Sequence, residues 1–168
     1  MHLSMQTQDL LRKICNYMSR KSRPVCYIIF LNILTGCLQA WKIPIALMSV
    51  FFGGDPFGGY LQPMSGRSVN QRTISILNVH SINDINICHM LFINADEKAS
   101  WQKLHSSLLG KNILTVSDIH GFTSSGGMIE FSRKNDRITV LLNQDAINAA
   151  KLSVQSRLLK LVTVVRGG

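Results

Sequence analysis

The sequence predicts an α/β domain in which helices cover both faces of a mixed sheet, giving three layers. Three observations lead to this prediction. Apolar runs ended by Gly, Pro or Asn recur along the chain, and short runs of this kind are typical of buried strands. One segment between them carries apolar residues at helical spacing. Two later runs are joined by Arg-Lys-Asn-Asp, which indicates an antiparallel hairpin.

The first half of this domain contains three predicted strands. Ile43–Phe52 is an almost continuous apolar run that stops at Gly-Gly-Asp-Pro-Phe-Gly-Gly, and such a run favours a strand buried on both faces. A short helix is predicted over Phe57–Met64, because Pro63 and Gly66 close it. Thr73–Val79 and His89–Asn94 are the second and third strands.

A helix is predicted next, over Ala95–Leu109. Asn94 precedes it and Glu97 stands three residues later, which is the spacing of a capping arrangement. Gly110 ends the helix. Its apolar stripe is interpreted as core packing rather than a cofactor site, and it consists of Trp101, Leu104 and Leu108.

The second half continues with a strand over Ile113–Ser117 and the hairpin Met128–Ser132 with Arg137–Leu142. Residues 146–165 then carry apolar side chains at intervals that favour one long C-terminal helix against the sheet. The apolar face of that helix comprises Val154, Leu158, Leu161, Val162 and Val165.

Composition and charge restrict the class of protein. With 46% hydrophobic and 16% charged residues, the 168-residue chain has ample material for a core. Its net charge is +9, of which residues 1–40 contribute +4 (five Lys/Arg against one Asp) and residues 41–168 contribute +5 (thirteen against eight). The cations of residues 41–168 are spread singly and not clustered with aromatic residues, which argues against a nucleic-acid-binding protein.

Residues 1–40 have the pattern of an export leader, which would leave residues 41–168 as the folded domain. Arg20, Lys21 and Arg23 precede Val25–Ala40, a run of sixteen residues without formal charge. A membrane-spanning helix needs about 20 apolar residues, so this length suits a signal-peptide core better. The alternative is that the apolar run forms a buried first helix.

The end of that run predicts a lipid anchor. Leu34-Thr35-Gly36-Cys37 has the form of a bacterial lipobox, in which the cysteine becomes the acylated first residue of the mature chain. Met18 would then be a natural start. Removal of the leader would leave Cys88 as the one cysteine inside the domain, so no internal disulfide is expected.

Two glycine-rich loops raise the question of phosphate binding. Neither Gly-Gly-Asp-Pro-Phe-Gly-Gly nor Gly-Phe-Thr-Ser-Ser-Gly-Gly at 121–127 supplies the Lys-Ser/Thr of a P-loop or the Gly-x-Gly-x-x-Gly of a dinucleotide site. The second loop also leads into a strand, so no helix N-terminus would face a phosphate. No cofactor is therefore predicted.

Catalytic and metal-binding patterns are weak as well. Asp118 and His120 are close in sequence, yet no third ligand stands at a zinc-like spacing. The chain has no Gly-x-Ser-x-Gly motif, and no pair of carboxylates is placed for acid–base chemistry. The sequence thus predicts neither a catalytic nor a metal site.

Several motifs, taken in order, resemble one family. Gly-Asp-Pro-Phe-Gly-Gly-Tyr-Leu at 54–61, Gly-Arg-Ser-Val at 66–69 and Cys-His-Met-Leu-Phe-Ile at 88–93 come first. Leu-Thr-Val, the Gly-Phe and Gly-Gly loop, Gly-Met-Ile, and an Arg-containing strand ending in Asn follow within residues 113–165, before a Ser-Arg-Leu-Leu segment. This combination resembles the YfiR-like family of periplasmic regulatory proteins.

The resemblance implies a Rossmann-like α/β fold and a regulatory role without catalysis. The best-known members repress a membrane-bound diguanylate cyclase by binding its periplasmic part. They tend to dimerise, and an outer-membrane lipoprotein partner or redox stress relieves the repression. Some members place cysteines in and just after the Gly-Gly loop, where this chain has Thr123, Ser124 and Glu130. A periplasmic small-ligand sensor that feeds a histidine kinase or transport system is the alternative function.

The loop 121–127 and the C-terminal helix are the predicted partner-binding surface. Gly126 and Gly127 are expected to adopt backbone angles that other residues resist. Phe122 is either a lid on the core or an exposed contact, and burial is the commoner state for an aromatic side chain. Arg157 is either an anchor for a carboxylate of the partner or a solvated surface cation. Asn143 is expected to cap the following helix.

Overall fold

The structure is a computed structural model. It describes residues 46–55, 62, 65–66, 68–69, 72–134, 137–154, 156–160 and 162–166. The predicted leader with Cys37 and nearly all of the predicted helix Phe57–Met64 lie outside the described residues.

The described residues form one mixed sheet of eight strands. Its order is β2-β3-β1-β4-β5-β6-β7-β8. The five central strands, β3-β1-β4-β5-β6, are parallel to one another. β2 pairs antiparallel with β3, and β7 pairs antiparallel with β6. The last strand, β8, is parallel to β7. The strands are β1 Ala46–Phe52, β2 Ser68–Val69, β3 Arg72–Val79, β4 Met90–Ile93, β5 Leu114–Ser117, β6 Ile129–Lys134, β7 Arg137–Asn143 and β8 Thr163–Val165.

Within the described residues, three α-helices and three short 3₁₀ segments lie between these strands. The α-helices are α1 Lys98–Leu108, α2 Gln144–Ala149 and α3 Ser156–Leu159, and the 3₁₀ segments are Ile82–Ile87, Ala95–Glu97 and Thr123–Ser125. Asn94 caps the segment before α1 by accepting a hydrogen bond from the Asp96 amide at 3.3 Å. The first turn of the predicted helix is therefore 3₁₀, and the regular α-helix begins at Lys98.

Two hydrophobic cores, one on each face of the sheet, make the domain three-layered. Successive side chains of a strand point to opposite faces, and β1 accordingly sends Phe51 to one core and Val50 and Phe52 to the other. The predicted stripe of α1 packs into the second core, and Ile147 of α2 packs into the first. The predicted α/β class with a mixed sheet is confirmed.

The sheet order places β3 and β4 on opposite sides of β1, which is the reversal of direction typical of doubly wound sheets. Because the five central strands are parallel, their carboxyl ends share one edge of the sheet. The loop after β5 starts at that edge and crosses to β6, its parallel neighbour.

The prediction of one long C-terminal helix is wrong. α2 ends at Ala149, and Lys151 has a positive φ of 55°, so the helix cannot continue through it. α3 is four residues long, and Thr163–Val165 is a strand parallel to β7. The β-branched run Val162–Val165 suits a strand, and β7 offers it an unpaired edge. Among the described residues, no helix has the length and apolar character needed to cross a membrane.

Candidate partner-binding loop

The loop between β5 and β6, residues 118–128, is held at both ends by buried hydroxyl groups. Ser117 Oγ donates to the Ile93 carbonyl at 2.7 Å and accepts from the Ile119 amide at 2.9 Å. Thr115 Oγ1 accepts from the Met128 amide at 3.1 Å. These bonds tie the loop to β4 and β5, so its entry and exit are fixed by the centre of the sheet.

Phe122 lies in the core, as the first of its two alternatives predicts. Its side chain is 0% exposed, and its ring centroid is 4.3 Å from that of Trp101 of α1. The ring is therefore not available to a partner, and the exposed-contact alternative for Phe122 is excluded. The ring instead anchors the loop to the second core.

Gly126 and Gly127 are both required, for different physical reasons. Gly126 has φ +90°, as predicted, and a Cβ there would lie 2.7 Å from the His105 ring. Gly127 does not have a positive φ, so the prediction of an unusual backbone angle there is wrong. A Cβ on Gly127 would lie 2.2 Å from Phe122 Cδ1. Gly127 is thus needed because the aromatic ring passes directly over its backbone.

A buried carboxylate organises the first half of the loop. Glu130 of β6 is 2% exposed, and its oxygens accept from the amides of Gly121 and Thr123, each at 3.1 Å. Glu130 also accepts from Thr123 Oγ1 at 2.9 Å. The glycine-rich loop is therefore an anion cradle, and the anion that it holds is a side chain of the same protein.

Two further side chains hold the second half of the loop. Trp101 Nε1 donates to Ser125 Oγ at 2.9 Å and to the Ser125 carbonyl at 3.2 Å. Asn143 Nδ2 donates to the Thr123 carbonyl at 2.9 Å, while its Oδ1 accepts from the Ala146 amide at 3.0 Å. Asn143 is thus the predicted helix cap and also a tether for the loop.

Sequence reasoning did not find Glu130 or the link between Trp101 and Ser125. The signal for Glu130 was present, because it is a single acidic residue between the apolar residues Ile129 and Phe131 of a predicted strand. Such a residue is either on a solvated face or buried with partners. Trp101 had been interpreted as core, which its 3% exposure confirms, and its Nε1 donor adds the link to Ser125.

The exposed part of the loop is small and polar. His120, Ser124 and Ser125 are exposed, and Gly121 and Gly126 are half-buried. The most exposed large apolar side chain among the described residues is Leu109, 68% exposed, one turn beyond His105 at the end of α1. The exposed groups of the loop are therefore polar, and the exposed apolar Leu109 follows the last residue of α1.

Arg157 lies in α3, which follows α2 along the chain. Its side chain is outside the described residues, and the predicted contact with a partner remains a prediction.

Cys88 is the cysteine that the structure describes. It is a free, buried thiol whose pKa is raised to about 12 by desolvation, with a small opposing effect of the Lys111 charge. Within the described part of the chain, no three His, Cys, Asp or Glu residues are grouped to hold a metal ion.

The sequence of the chain also matches a known protein family. A family model described as YfiR/HmsC-like matches residues 46–163, which includes every described strand except the last two residues of β8. The chain belongs to the YfiR/HmsC-like family. The match covers the loop, Glu130, Asn143 and Arg157, so the candidate partner-binding residues lie within the family's domain. No curated protein matches the chain.

Proposed function

We propose that this chain is an exported, non-enzymatic regulatory protein that represses a membrane-bound diguanylate cyclase by binding the periplasmic domain of that enzyme. The observation that carries this proposal is membership of the YfiR/HmsC-like family over residues 46–163. Repression would lower cyclic-di-GMP signalling in the cell.

A binding protein can repress an enzyme only if it binds the inactive state more tightly than the active one. The loop surface suits this task because it is preorganised. Its backbone is tethered by Glu130, Trp101 and Asn143, so little conformational entropy is lost on binding. The exposed groups His120, Ser124 and Ser125 of the loop, together with the exposed Leu109 after α1, are the proposed contacts.

The direct test of this surface is a bulky substitution that leaves the fold intact. Ser124→Arg is expected to weaken binding to the cyclase's periplasmic domain by at least tenfold, because Ser124 is exposed on the loop. Thr73→Arg is the matched control, since it adds the same group at an exposed site in β3, three strands away from β5 in the sheet. Equal affinities for the two variants would reject the loop as the contact surface.

The cellular test is deletion of the gene. Cyclic-di-GMP is expected to rise and to return to its original level when the gene is restored on a plasmid. Unchanged cyclic-di-GMP after deletion would reject cyclase repression and favour the ligand-sensor alternative.

Arg157 is proposed as a second contact, paired with a carboxylate of the partner. Arg157→Glu should then weaken binding by about 2 kcal/mol or more, as expected for an interface anchor. Lys151→Glu is its control, because Lys151 is exposed and the substitution changes the charge equally. If both reversals weaken binding to the same small extent, Arg157 contributes only to the general charge.

The proposed location is the periplasm, with residues 1–40 as the leader-like segment, residues 41–168 as the folded domain and Cys37 as the lipid-bearing first residue of the mature chain. Fractionation of cells that produce a C-terminally tagged chain tests export, and a full-length cytoplasmic product would refute it. Loss of membrane association in Cys37→Ser tests the anchor. On the basis of the family, we also propose that an outer-membrane lipoprotein relieves the repression and that the protein forms a homodimer.

A further inference from the structure

Glu130 stands out among the buried polar residues because its carboxylate receives three hydrogen bonds from a single loop. The donors are the Gly121 amide, the Thr123 amide and the Thr123 hydroxyl. Both oxygens are used, since Gly121 donates to Oε1 and Thr123 donates twice to Oε2. An ionised carboxylate accepts at both oxygens and donates at neither, which matches this set of donors.

The position of Glu130 in the sheet explains why the carboxylate reaches the loop. Its neighbour Ile129 belongs to the core on the α2 side, so Glu130 faces the α1 side, where Phe122 is buried. Gly121 can present its amide because its φ is +81° and nothing lies within 4 Å of its Cβ position. The loop therefore wraps around the carboxylate on the face that α1 shares.

The other side-chain tethers of the loop do not use the amides of Gly121 and Thr123. Trp101 binds Ser125, and Asn143 binds the Thr123 carbonyl. The amides of Gly121 and Thr123 are bonded to Glu130 alone among the contacts described above. A buried amide without an acceptor is costly, so this half of the loop depends on Glu130 for its conformation.

We propose that Glu130 is the positioning residue of the partner-binding surface, acting as a built-in anion that fills the cradle of the loop and fixes His120 and Ser124 on either side of it. This inference rests on the function proposed above.

The first test measures the loop itself, by hydrogen exchange of the Gly121 and Thr123 amides. In Glu130→Ala both amides should exchange at least tenfold faster than in the wild-type protein, while the amides of β4 and β5 stay protected. Formate at about 100 mM should restore protection in Glu130→Ala, because a small carboxylate fits the vacated cradle, and should have no effect on the wild-type protein. Unchanged protection in a folded Glu130→Ala variant would overturn the proposal.

Milder variants keep the test decisive if Glu130→Ala does not fold. Glu130→Gln retains the shape but offers one acceptor oxygen, and its NH₂ group would face donors. Thr123→Val removes the hydroxyl and keeps the amide. The Gly121 and Thr123 amides should exchange faster in Thr123→Val than in the wild-type protein, and faster still in Glu130→Gln. A wild-type rate of exchange in both variants would refute the role of Glu130 in holding the loop.

The second test separates positioning from stability. Ile147→Val on the opposite core removes one methylene from a fully buried side chain and serves as the control for general destabilisation. Affinity for the cyclase domain should fall at least tenfold in Glu130→Gln and stay within twofold in Ile147→Val. Faster exchange with unchanged affinity would overturn the positioning role. If the wild-type protein does not bind the cyclase domain, the proposed function is wrong. Amide hydrogen exchange and its restoration by formate then decide by themselves whether Glu130 holds the loop in its conformation.

Discussion

Replacement of Gly127 by alanine tests the closest contact in the loop. The added Cβ would lie 2.2, 2.3 and 2.6 Å from three atoms of the Phe122 ring. Ordinary contacts of a Cβ are about 3.4 Å or longer, so the ring or the backbone would have to move by roughly 1 Å. The ring cannot move freely, because Phe122 is 0% exposed and packs on Trp101 at 4.3 Å.

The expected loss of stability follows from this packing. Overpacking a rigid core costs about 1–3 kcal/mol, and the upper end applies here because three ring atoms are involved. For a domain of this size, 3 kcal/mol corresponds to a fall in Tm of roughly 6–12 °C. Gly127 does not have a positive φ, so this loss is expected from the contact with the ring and not from left-handed backbone strain.

A double-mutant cycle with Phe122→Ala identifies the cause. Without the ring, the alanine at position 127 should cost about 0.5 kcal/mol or less, giving a coupling free energy of roughly 2 kcal/mol or more. The assay is urea denaturation of the four proteins, followed by tryptophan fluorescence. Additive effects in the cycle would show that the contact with Phe122 is not why glycine is needed at position 127.

Three further predictions concern single side chains. Asn143→Ala should lower the free energy of unfolding by about 1–3 kcal/mol, because a helix cap and a buried hydrogen bond are lost together. Asn143→Asp retains the oxygen that caps the helix, so it should lose less. Equal losses of the two variants in urea denaturation would contradict the separate contributions of the cap and the buried hydrogen bond. Trp101→Phe keeps the aromatic packing and removes the Nε1 donor to Ser125, so faster exchange of the Ser125 and Gly126 amides is expected, with β5 amides as the internal reference. Cys88 should resist alkylation at pH 8 until the protein unfolds, because burial raises its pKa to about 12. Because the pKa of Cys88 in the folded protein exceeds the ordinary thiol value of 9.0, its contribution to stability is complete below about pH 9 and declines between that pH and 12. Cys88→Ala should flatten this part of the pH–stability profile, and an unchanged profile would refute the assignment.

Much of the fold could be predicted because local patterns and tertiary packing agree. The strands at Thr73–Val79 and His89–Asn94, the stripe of α1, and the hairpin of β6 and β7 are all as predicted to within a few residues. The Asn143 cap was predictable for the same reason, since its cap bond joins residues three positions apart.

Periodicity failed where two structures compete for the same residues. The segment after Lys151 has apolar residues at helical spacing, yet Thr163–Val165 forms β8. Pairing with β7 decides this, and the edge of β7 is formed by residues about twenty positions away in the chain. No local pattern contains that information.

The sequence by itself determined the α/β class, six of the eight strands of the sheet, the resemblance to the YfiR-like family and the need for glycine at position 126. Only the tertiary structure decided that Phe122 is buried, that Gly127 is needed for the passage of its ring, and that Glu130 fills the loop. The physical reason is the range of the interactions. Backbone preferences and periodicity act between residues a few positions apart, whereas the contacts of the Trp101 indole with Phe122 and Ser125 join residues more than twenty positions apart and exist only once α1 has packed on the sheet.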